Sequence, residues 1–63
     1  MDDLMDLINA QDELTHVEYK IQKLRMLEEE YVENEEYEKA QLMLDEQRRL
    51  RKRRTILKKK LQT

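Results

Sequence analysis

Six cations crowd into seven residues at Arg48, Arg49, Arg51, Lys52, Arg53 and Arg54, interrupted only by Leu50. On a helix such a run can neutralise phosphates, and each contact would steepen the salt dependence of binding. The same run can equally be a solvated face balanced by carboxylates elsewhere in the chain. Two apolar groups have recognition value of another kind. Met5, Tyr19 and Met26 recur at multiples of seven, with Ile8 nearby, and exposed Met and Tyr make an adaptable docking surface. Tyr31 and Tyr37 bracket a break in the helical pattern with Leu27, Ala40 and Leu44 behind them, a pattern that suits a hydrophobic plug, an anchor for a partner, or both.

Catalytic chemistry finds little to work with. There is no Cys, no Gly and no Pro, so thiolate ligands, disulfides and phosphate-cradling loops are excluded. His16 is the one histidine and has no second His for a zinc pair. The acidic run Glu28, Glu29, Glu30 offers carboxylates on a surface without a second shell. The expectation is a chain that is not an enzyme, with no catalytic residues, no metal and no cofactor.

These side chains must be positioned by helices. Of 63 residues 38% are apolar and 44% charged, which limits the chain to one small domain with a thin core. Glu, Lys, Leu, Gln and Arg dominate and favour helix. Leu7, Ala10, Leu14, Val17, Ile21 and Leu24 alternate steps of three and four, as one seam of a coiled coil does. Ala40, Met43, Gln47, Leu50, Arg54, Leu57 and Leu61 repeat the pattern with two polar members, expected to snorkel to solvent or to specify register. Between the seams Asn34 tolerates left-handed geometry and caps helix starts. The expected fold is all-α: residues 1–63 as one two-helix antiparallel coiled-coil hairpin, with a helix over 3–32, a turn at 33–35 and a helix over 36–61. Reversal there pairs Leu24 with Met43, Leu27 with Ala40, Val17 with Leu50 and Ala10 with Leu57, although a second register also aligns the seams.

Charge supports the hairpin. Residues 1–36 hold 12 acidic and 3 basic side chains and residues 37–63 hold 3 acidic and 10 basic, so the halves carry −9 and +7. Folding back sets Asp2, Asp3 and Asp6 beside Lys58, Lys59 and Lys60, and Asp12 and Glu13 near residues 51–54. Exposed pairs are worth only ~0.2–1 kcal/mol each, so they select the antiparallel arrangement more than they stabilise it. A single seam buries little against an ordering cost of about 1.5 kcal/mol per residue. A homodimer is therefore expected, a four-helix bundle in which a second hairpin covers Leu4, Ile8 and Leu44.

Residues 32–45, with Asn34, Glu36, Tyr37, Glu38, Ala40 and Asp45, and the preceding Ile21, Leu24 and Leu27, resemble the UVR domain. That domain is a short helical hairpin at the C-terminus of the excision-repair protein UvrB, in UvrC and in adaptors of Clp-type proteases. Gln41, Leu44 and the run Glu28 to Glu30 depart from its pattern. The resemblance spans roughly residues 21–55 and implies a docking module that recruits proteins and is not catalytic.

The functional expectation is a small interaction protein, an adaptor or inhibitor of the kind phages encode. It would dock on a larger cytoplasmic protein of a nucleic-acid-processing or proteolytic machine. Met5, Ile8, Tyr19, Met26, Tyr31, Tyr37 and Leu44 are its candidate contacts. The alternative is a nucleic-acid-binding hairpin using Arg48, Arg49, Arg51, Lys52, Arg53 and Arg54, against which stand the net charge of −2 and the absence of Trp and Phe. The acidic start and the lack of a long apolar run predict a cytoplasmic chain with no membrane partner.

Overall fold

The computed structural model describes residues 2–62, with side chains from residue 4. Two helices, α1 (Asp2–Glu33, 32 residues) and α2 (Tyr37–Leu61, 25 residues), pack antiparallel into a rod of 51 × 14 × 14 Å. With no Gly or Pro to interrupt them, both run as far as their seams require. Glu38 in the first turn of α2 and Lys58, Lys59 and Lys60 in its last turn complement the helix dipole.

The reversal occupies residues 34–36, one later than expected, and its geometry differs from the expectation in a specific way. Asn34 stays in the helical hydrogen-bond pattern, its N–H donating to the Glu30 carbonyl at 3.1 Å. Glu35 takes the left-handed conformation instead, at φ 60°. The Glu35 N–H donates to the Val32 carbonyl (3.0 Å) and the Glu36 N–H to the Tyr31 carbonyl (2.8 Å), which is the paired bonding of a Schellman C-cap with Glu35 at the position usually held by Gly. Packing of the two seams fixes where the chain must turn, and this overrides the preference of Asn for the left-handed site. Glu36 precedes α2 without a side-chain cap; its Oε1 accepts from Lys39 Nζ at 3.1 Å.

Ala10, Leu14, Val17, Ile21, Leu50 and Leu57 form the buried core, with Leu24 and Leu61 packed against it. Leu50 borders Val17 in one surface groove and Leu24 in another, which sets it level with Ile21. The expected pairing of Leu27 with Ala40 does not occur: Ala40 is buried and Leu27 is exposed. Beyond Leu24 the seam of α1 continues through Glu28 and Tyr31, both half-buried. The layers are thus offset from those expected in the direction a later reversal requires, because each residue by which the reversal moves shifts facing partners by two. The expected apposition of Asp2 and Asp3 with Lys58, Lys59 and Lys60 rests on side chains outside those described.

Both helices start from the same turn, so the seven extra residues of α1 overhang the end of α2 by about 10 Å. Leu4, Met5, Leu7 and Ile8 on this overhang are 67, 60, 40 and 48% exposed.

Candidate interaction surfaces

The basic run of α2 winds around the helix and does not form one cationic stripe. Arg53 donates Nε and Nη2 to the two carboxylate oxygens of Glu13 across the hairpin, at 2.5 and 2.8 Å. Arg49 makes the equivalent fork with Glu46 one turn back on α2. These bonds raise both guanidinium pKa values above the ordinary value and hold the Glu13 and Glu46 carboxyls below theirs. Arg48 sits 4.0 Å from Asp45, a loose pair. Arg51 leans on the Gln47 amide oxygen at 3.5 Å, and Arg54 is half-buried at the seam. Lys52 is exposed.

Gln47 behaves differently from Arg54. Among the described residues it is the one polar side chain fully enclosed, at 1% exposure, and its Nε2 donates to Glu28 Oε1 at 2.7 Å. The expectation that it would snorkel out is wrong, because the offset layers set it opposite a carboxylate that can satisfy it indoors. The signal was present in sequence: Glu28 lies four residues beyond Leu24 on the α1 seam.

Of the candidate docking residues, Met5, Tyr19 and Met26 are 60, 58 and 62% exposed on the side of α1 away from the core, and Ile8 lies on the overhang beside them. Lys23 Nζ stands 5.6 Å over the Tyr19 ring, a weak cation–π contact. Tyr19, Gln22, Lys23 and Met26 surround a shallow depression. At the tip the two tyrosines separate. Tyr31 is half-buried in the seam under Lys39, whose Nζ lies 5.8 Å from its ring, whereas Tyr37 is exposed, with Leu44 half-buried. The expected two-ring plug does not form, because Tyr37 lies outside the seam while Tyr31 packs into it beside the buried Ala40.

His16 is exposed on the rim of a groove floored by Val17 and Leu50 and edged by Lys20, Lys52 and Arg53. Among the described residues no three His, Cys, Asp or Glu side chains gather as a metal site. No helix among them is long and apolar enough to cross a membrane. The chain matches no family model, no curated protein and no solved structure.

Proposed function

We propose that this hairpin is a small non-catalytic interaction protein, an adaptor or inhibitor that docks on a larger cytoplasmic protein through α1. The observation that carries this reading is the overhang, where four apolar side chains within little more than one helical turn, Leu4, Met5, Leu7 and Ile8, are left largely uncovered beyond the end of α2. Large exposed apolar side chains clustered on one helix end favour insertion into a partner's groove, with anchors at helical spacing. The UVR-like stretch supports the same class of function, since that domain recruits proteins.

Capture from the native host tests it. The unaltered chain is expected to retain one larger protein in stoichiometric amount, Ile8→Glu and Met26→Glu to lose it, and Ile56→Glu on α2 to keep it. Retention by the α1 variants with loss by Ile56→Glu would move the surface to the other helix and overturn the assignment.

A further inference from the structure

The outer flank of α1 holds a second seam. From Leu4, the residues Ile8, Gln11, Thr15, Tyr19, Gln22 and Met26 follow at steps of four, three, four, four, three and four, the spacing of one helix face. None of the seven is charged, in a chain whose residues are 44% charged, and all are exposed. The core seam of α1 occupies a different face, so the hairpin itself leaves this one to solvent.

The series of steps reads the same from either end. Two α1 helices laid antiparallel with Thr15 on a two-fold axis therefore bring Leu4 to Met26, Ile8 to Gln22 and Gln11 to Tyr19 of the other copy simultaneously. We infer that this flank is a self-association surface on which a second copy of the chain docks antiparallel about Thr15. The inference rests on α1 being the docking element, and a larger partner using the same flank would displace the second copy.

Shape and area agree with that occupant. Tyr19, Gln22, Lys23 and Met26 stand at i, i+3, i+4 and i+7, the set that forms the hole for a knob in paired helices, and they surround a depression of about 260 Å³. Ile8 of the second copy arrives at its centre. At the axis, the Thr15 hydroxyl donates to the Gln11 carbonyl at 3.1 Å, which satisfies it within the helix and lets two small side chains meet at the closest point. Leu4, Ile8, Tyr19 and Met26, at 67, 48, 58 and 62% exposure, together leave on the order of 500 Å² per copy uncovered. A two-fold pair thus removes on the order of 1,000 Å², the lower bound for a specific interface, so association belongs in the micromolar range.

The chain has no cysteine, so a single thiol reports the axis directly. Oxidised Thr15→Cys is expected to form a disulfide-linked dimer, since equivalent residues on the axis of a close helix pair meet the Cα separation a disulfide needs, while Thr55→Cys on α2 stays largely monomeric at the same concentration. In sedimentation the unaltered chain should pass from the 7.9 kDa monomer to twice that mass across the micromolar range. Thr15→Glu, which sets two carboxylates on the axis, should weaken this by more than about tenfold with helical circular dichroism retained, and Ile56→Glu should leave it unchanged. A chain that remains monomeric, a dimer indifferent to Thr15→Glu, or one that cross-links through Thr55→Cys in preference to Thr15→Cys overturns the inference. A monomer with its flank free could still dock on a larger protein, so that reading is judged separately by capture.

Discussion

Gln47 of α2 donates to Glu28 of α1 at 2.7 Å in the interior of the hairpin, the only cross-helix hydrogen bond made by a fully buried side chain among the described residues. A polar pair inside a mostly aliphatic seam contributes less to stability than to choice of layer, because a shifted register leaves one of its members unpaired. A double-mutant cycle with Gln47→Leu and Glu28→Leu should return a coupling of about 0.5–1.5 kcal/mol in urea unfolding. The double variant should be at least as stable as the parent but lose its single register, seen as extra amide resonances. A uniquely structured double variant would show that the aliphatic layers alone set the pairing.

The left-handed Glu35 makes a second prediction. A non-glycine residue there costs about 1 kcal/mol, and the Schellman bonds around it show that the backbone needs this conformation. Glu35→Gly should therefore raise stability by about 1 kcal/mol. Asn34→Gly should lower it by roughly 0.5–1 kcal/mol, since Asn34 is bonded as a helical residue. The opposite ranking in thermal or urea unfolding would place the reversal at Asn34.

That contrast marks what sequence could and could not supply. The α2 seam is legible because its apolar members repeat at helical steps whatever the partner does, and Ala40, Leu50 and Leu57 lie buried where the pattern places them. The reversal was less legible. Asn34 has the stronger intrinsic preference for left-handed geometry, but the preference is worth less than one layer of packing, and a turn one residue later carried Leu27 and Tyr37 outward and Gln47 inward. The ion pair of Arg53 with Glu13 was legible as well, because charge segregation in an antiparallel hairpin already sets Asp12 and Glu13 near residues 51–54.

Acid should weaken the hairpin through that pair. The Arg53 guanidinium bonded to Glu13, reinforced by the charges of Arg53 and Lys60, holds the Glu13 carboxyl below its ordinary value of 4.5. A carboxylate depressed in the folded state contributes stability that is fully present above its unfolded pKa and is lost as pH falls through the folded value. The urea midpoint is expected to decline below about pH 4.5, and Glu13→Gln should flatten the decline without abolishing it, because Glu46 is depressed in the same way by Arg49. An unchanged slope in Glu13→Gln would mean the pair is too solvated to matter.

The basic run yields the last prediction, which separates protein docking from nucleic-acid recognition. Arg49 and Arg53 already spend their forked donors on Glu46 and Glu13, and Arg54 is half-buried at the seam. Arg48, Arg51 and Lys52 are left with weaker or no carboxylate contacts, and at i, i+3 and i+4 they share one exposed face of α2. Neutralised phosphates release condensed counterions, so whatever binding these three support should fall steeply with salt. Gel-shift titrations with duplex DNA and with RNA are expected to show weak binding at low ionic strength and none at about 0.15 M. A variant carrying Arg51→Glu and Arg54→Glu should then differ from the parent only at low salt. Docking of a protein partner on α1 should persist through the same salt range, because its contacts are apolar and desolvated. Sub-micromolar nucleic-acid binding at physiological salt, abolished in that variant while its helical circular dichroism is retained, would instead make α2 the functional helix.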